Sequence, residues 1–214
     1  MLFVILFAIL YLPISILYPT WVINKKRLPR KKKLIATSNH YSNLDALIYN
    51  FRFFRKFRFL AKQELFRNKF LSWFFHGIAA VPVDRKQITP SMYKNIMGEL
   101  NKGRQLFIFP EGTRNKEGTE EMGDTKSGVI TFASKGDVEI YPMLMWRMPK
   151  LFRKNYIIVG EPFKVVGENP KRLTPEEVQN NLDIYAQKMA DLRKELDEFL
   201  ASKKKRKKKT KEVK

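Results

Sequence analysis

Leu106-Phe107-Ile108-Phe109-Pro110-Glu111-Gly112-Thr113-Arg114 passes from four consecutive apolar residues, through a proline, into a polar turn that carries a glycine. An apolar run this short fits a strand buried on both faces, the kind that parallel sheets contain. Working outward, the same character recurs at Leu34 to Ser38, at Phe59-Leu60-Ala61, at Val138 to Met145 and at Tyr156 to Val159. Ile78 to Val83 is a further strand, with Pro82 marking an edge or a strand end. Helical patterns fall between these runs. The alternation predicts an α/β fold with a mixed, mostly parallel sheet flanked by helices.

The helices are legible to different degrees. Asn43 to Phe57 reads as one helix, and Glu64 to His76 as an amphipathic segment crowded with phenylalanines. Thr89-Pro90 starts a helix whose Met92, Ile96, Met97 and Leu100 repeat at helical spacing, and Gly103 stops it. Lys116 to Thr125 is polar and glycine-punctuated, hence a loop, and Gly128 to Lys135 is a helix. Thr174-Pro175-Glu176-Glu177 is a capping box. Val178, Leu182, Tyr185, Met189, Leu192, Leu196 and Phe199 follow it as a stripe that docks on the sheet, a short coiled coil being the alternative.

Composition narrows the chemistry. The 214 residues hold 42 Lys+Arg against 21 Asp+Glu, two histidines and no cysteine. Disulfides, thiolate nucleophiles and cysteine-ligated zinc or iron–sulfur sites are excluded, and a three-histidine metal site with them. The formal charge of +21 is concentrated at Lys25 to Lys33 and in the lysine-rich run from Lys203 to Lys214. Such runs fit phosphate-rich surfaces, whether lipid headgroups or nucleic acid. Met1 to Asn24 carries no charge and is almost continuously apolar through Tyr18. The expectation is an N-terminal membrane-embedded helical segment, spanning or lying in one leaflet, with Trp21 as an interfacial anchor. The basic linker 25–33 then sets the catalytic domain, 34–202, on the cytoplasmic side, and 203–214 forms a disordered tail.

Two clusters can carry chemistry. His40 lies at a strand end with Asp45 five positions later, so a carboxylate hydrogen bond can fix the imidazole tautomer and leave its other nitrogen as a general base. Glu111-Gly112-Thr113-Arg114 follows the opening strand, where ligands of open α/β sheets bind. Arg85 and Lys62 end two more strands. Three cations converging on a His–Asp pair point to a hydroxyl-bearing phosphate substrate. His76, among phenylalanines, reads as structural or interfacial.

Four blocks together resemble the 1-acyl-glycerol-3-phosphate acyltransferases of the glycerolipid acyltransferase family. They are Asn39-His40-x-Ser42-x-x-Asp45, Ala61-Lys62-x-Glu64-Leu65, Gly77 through Val83-Asp84-Arg85, and Phe109-Pro110-Glu111-Gly112-Thr113-Arg114. Pro142 falls where the family has a weaker proline block. The family's aromatic-Lys-x-Gly block appears as Thr125-Lys126-Ser127-Gly128, without the aromatic, and Met143 and Met145 stand where valine is usual. The resemblance implies that His40 deprotonates a glycerol hydroxyl and that Asp45 orients it. It implies that Arg85, Glu111, Gly112, Thr113 and Arg114, with Lys62, hold the acceptor phosphate end, Glu111 by positioning a cation. The implied substrates are lysophosphatidate and an acyl thioester of coenzyme A or acyl carrier protein, with no cofactor and no metal. A related acyltransferase using glycerol-3-phosphate or another lysophospholipid is one alternative reading. A membrane-tethered nucleic-acid-binding protein is another, although the lysine run lacks interleaved aromatics.

Overall fold

The structure is a computed structural model that describes residues 2–84, 89–115 and 125–212, with side chains from residue 3 to residue 206 within those limits. Among the described residues seven strands form one sheet: β1 (Thr20–Ile23), β2 (Leu34–Thr37), β3 (Arg58–Lys62), β4 (Val81–Val83), β5 (Gln105–Ile108), β6 (Ile140–Met145) and β7 (Asn155–Val159). Their order is β1-β7-β6-β2-β5-β3-β4, and β6–β7 is the antiparallel pair. The expected mixed, mostly parallel α/β sheet is therefore present. Both faces of its central strands are covered: every residue of β2 and β6 is buried.

Among the described residues six α-helices cover the sheet: α1 (Leu2–Leu17), α2 (Asp45–Phe53), α3 (Lys69–Gly77), α4 (Pro90–Asn101), α5 (Gly128–Gly136) and α6 (Pro175–Glu212). One face of the sheet, with α1, α2 and α3, holds an aromatic core around Tyr49, Phe53, Phe57, Phe59 and Phe107. The other, with α4, α5 and α6, holds a mainly aliphatic one around Ile96, Leu100, Leu106, Ile130 and Leu196. Thr89 caps α4 by accepting from Met92 N–H at 3.1 Å. The α6 capping box closes both ways, Thr174 N–H to Glu177 at 2.7 Å and Glu177 N–H to Thr174 at 3.2 Å. Tyr185, Met189, Leu192 and Leu196 are buried in the second core, so α6 docks on the sheet.

Three expectations change. The apolar N-terminal segment is not one spanning helix. α1 has 16 residues, about 24 Å at 1.5 Å per residue against a bilayer core of about 30 Å. Among the described residues no helix is long and apolar enough to cross a membrane. Leu6 and Ile14 are buried in the aromatic core, and Phe7 stacks edge-on against Phe51 of α2 at 4.9 Å. Thr20 to Ile23, whose β-branched residues favour extended backbone, becomes strand β1 beside β7 instead. The helix expected to run to Phe57 stops at Phe53, because Phe54 turns left-handed at φ 53°. The lysine-rich run continues α6 as helix through Glu212. The loop expected at Lys116 to Thr125 lies, except for Thr125, outside the described residues.

Candidate active site

Register gathers the motif residues at one rim. Thr37 pairs with Ile108, Phe59 with Phe107, and Lys62 with Val83, so the carboxyl ends of β2, β5, β3 and β4 lie in adjacent positions. His40 follows β2, Glu111 to Arg114 follow β5, and Lys62 ends β3 with its side chain exposed. Arg85 lies just beyond β4 and outside the described residues. Thr113 and Arg114 are exposed at the loop surface. His76 lies on α3, where its ring bonds the Ser72 carbonyl at 2.8 Å, away from the His40 pair.

The His40 pair has the geometry of an oriented base. His40 Nδ1–H donates to Asp45 Oδ2 at 2.9 Å, with Asp45 fully buried and His40 7% exposed. A carboxylate can only accept, so the bond puts the proton on Nδ1 and leaves Nε2 with a free lone pair. The same Oδ2 accepts Tyr41 N–H at 2.7 Å and Ser42 N–H at 2.8 Å, which folds the loop around it. Oδ1 is buried with no hydrogen-bond partner among the described residues, a costly arrangement that a merely structural turn has no need of. Phe109 stacks on the imidazole at 4.0 Å and 12°, closing one face of the ring.

Several elements hold this loop. Glu111, itself buried, accepts the His40 backbone N–H at 3.0 Å, and Asn115 N–H donates to the His40 carbonyl at 2.7 Å. Glu111 thus bonds the base's own backbone. Asn39 bridges to β6, donating to the Met145 carbonyl at 3.0 Å and accepting from Met145 N–H at 2.8 Å. Burial pushes the Tyr41 hydroxyl up, against opposing bonds from Arg193 of α6 and from Asn39.

Behind Phe109 lies a cavity of about 390 Å³. Leu60, Val83, Met92, Ile108 and Phe132 are among its apolar lining residues, and Asp84, Gly112 and Lys126 are among its polar ones. Sequence reasoning left Asn39 and Lys126 out of the site. Asn39 stands inside the first block that carries the resemblance, and Lys126 in the block that lacks the family's aromatic, so a signal was present without a role attached.

A family model described as Acyltransferase matches residues 20–146. The chain is 32% identical over 148 residues to the 1-acyl-sn-glycerol-3-phosphate acyltransferase of Bacillus subtilis, covering 66% of this chain and 72% of that one. It is 30% identical over 138 residues to the enzyme of the same name from Borreliella burgdorferi, covering 64% of this chain and 54% of that one. The crystal structure of the 1-acyl-sn-glycerophosphate acyltransferase PlsC from Thermotoga maritima superposes with a TM-score of 0.61 at 20% identity, over 85% of this chain and 72% of that one, and has the same fold. A family model spanning the sheet from β1 to the end of β6, and a relative matched over most of its length, agree with the rim built around His40 and Asp45: the chain belongs to the acyltransferase family.

Proposed function

We propose that the protein transfers an acyl chain from an acyl thioester to the free hydroxyl of 1-acylglycerol 3-phosphate, giving phosphatidate for phospholipid synthesis. The observation that carries this is the buried Asp45 holding His40 with Nε2 free at the rim. In this reading His40 takes the hydroxyl proton as the oxygen attacks the thioester carbonyl. The tetrahedral intermediate then expels the thiolate, which recovers the proton from the imidazolium. Asp45 stabilises the imidazolium and fixes its orientation. The exposed Arg114, Thr113 and Lys62, with Arg85 and the Gly112 backbone, grip the acceptor phosphate, and Glu111 holds the base in register through the His40 N–H. The apolar cavity behind Phe109 favours a substrate bearing a hydrocarbon chain over glycerol 3-phosphate itself. Coenzyme A and acyl carrier protein both present such a thioester, and neither reaction step requires a metal or cofactor.

The same reading places the enzyme on a membrane, its catalytic domain facing the cytoplasm. Val4, Ile9, Leu12 and Ile16 form an exposed apolar stripe on α1 that suits insertion into one leaflet. The cationic run 25–33 and the exposed Lys203 to Arg206 at the far end of α6 suit anionic headgroups. The relatives named above are named as acyltransferases. One experiment tests both parts: full-length protein is mixed with anionic vesicles containing radiolabelled lysophosphatidate, with acyl-coenzyme A or acyl-acyl carrier protein added. Wild type should sediment with the vesicles and form phosphatidate. His40→Ala should sediment equally but lose about 10² to 10⁴-fold in rate. Near-normal turnover by His40→Ala removes the mechanism, and a soluble wild type removes the membrane assignment.

A further inference from the structure

The turn that leads into α5 reaches back over the loop that follows β5. Lys126 N–H donates to the Pro110 carbonyl at 3.0 Å, which ties the two segments together. The Lys126 side chain then crosses Gly112: a Cβ placed on Gly112 would stand 2.8 Å from Lys126 Cε and 2.9 Å from Nζ. Gly112 also adopts φ +69°, a left-handed conformation that a side chain disfavours. Glycine here meets two demands at once, the backbone turn and the room for an ammonium laid against it. The next residue back is Glu111, which holds the His40 N–H, and Arg114 is two residues on. The turn ahead of α5 therefore brings a cation beside the anchor of the base.

Lys126 lines a largely apolar cavity. An apolar lining that includes a cation matches an amphiphile with an anionic head. Asp84 lines the same cavity and repels such a head, so the Gly112 side, with Lys126 and the exposed Arg114, is where a phosphate is favoured. A lysine suits the task, because its charge on a flexible stem can follow a phosphate that shifts as the hydroxyl approaches the base.

The geometry points to Lys126 as a residue that binds the phosphate of the acyl acceptor and sets the preference for a phosphorylated over an unphosphorylated acylglycerol. The inference rests on the acceptor assigned under the proposed function, and its test separates the two. Lys126→Met removes the charge and keeps a stem over Gly112; Lys126→Gln is a second neutral variant, and Lys126→Arg retains the charge. Calorimetry of the full chain in detergent micelles measures binding of lysophosphatidate and of 1-acylglycerol, and turnover of both is measured with acyl-coenzyme A. The neutral variants should weaken lysophosphatidate binding about tenfold or more and collapse its preference over 1-acylglycerol, at an unchanged thermal midpoint. Lys126→Arg should keep most of that preference. Wild-type affinity for lysophosphatidate in both neutral variants, or an equal loss toward both lipids, overturns the assignment. A wild type that binds lysophosphatidate through Lys126 without acylating it would instead overturn the reaction and leave this phosphate site standing.

Discussion

A single oxygen, Asp45 Oδ2, accepts three N–H groups: the His40 ring and the backbones of Tyr41 and Ser42. Loop shape and base orientation are therefore one feature rather than two. Asparagine at this position is nearly the same size but replaces one oxygen with a donor. An amide oxygen in the place of Oδ2 still accepts all three N–H groups and keeps the tautomer, but the negative charge that stabilises the imidazolium is gone, and the NH₂ group falls where Oδ1 lies buried without a partner among the described residues. We therefore expect Asp45→Asn to lower turnover by about 10² to 10⁴-fold while the acceptor KM stays within about threefold. Steady-state kinetics with lysophosphatidate decides it; a loss expressed mainly in KM would make Asp45 a substrate-binding group. This pair was readable from the spacing of His40 and Asp45. The bond from the His40 N–H to Glu111 was not, because it depends on the close approach of two loops far apart in the sequence.

At the level of elements, legibility followed local signals. The α4 start and the α6 start carry capping residues that act within a few positions, and both formed as the sequence indicates. Thr174→Ala should cost about 1 kcal/mol by leaving the Glu177 N–H without its cap, which is about 2–4 °C in thermal midpoint for a chain of this size. An unchanged midpoint by calorimetry would mean that packing alone fixes the start of α6. By contrast, the end of α2 has no glycine; a left-handed Phe54 ends it, with Asn50 Oδ1 accepting Phe57 N–H at 3.0 Å to set up the next strand. That depends on tertiary contacts. β1 was hidden for a different reason. A four-residue strand next to an apolar helix adds to one hydropathic run, and its partner β7 is distant in the sequence.

For the molecule as a whole, positive charge collects at the end of the sheet opposite His40. Arg30, Arg55, Lys56, Arg58 and Arg104 border one groove there. Burial first, then repulsion from Arg30, lowers Arg55 to about 10, and burial followed by repulsion from Arg58 and Arg104 lowers Lys56. Glu99 answers this crowd with bonds to Arg58 at 2.8 Å and Arg104 at 2.6 Å. Burial pushes its carboxyl up, but the Arg104 hydrogen bond and the charges of Arg58, Arg104 and Lys102 outweigh that and hold it below the ordinary 4.5. A depressed carboxylate contributes stability that is present above its unfolded value and lost as pH falls through its folded one. The thermal midpoint should therefore rise as salt goes from about 0.01 M to about 0.1 M at neutral pH, and fall as pH drops below 4.5. Lys56→Gln should blunt the salt response, and a midpoint indifferent to salt would show that this crowding carries no cost. The strand order has a temporal side as well. A ribosome makes β1 before every other strand, yet β1 lies against β7, which is made last, and β7 fills the position between β1 and β6. Until Asn155 to Val159 emerges, β1 has an open edge and the sheet has a gap inside it. The newborn chain must keep those two edges apart from other strands for most of its synthesis, and its final strand completes the sheet from within.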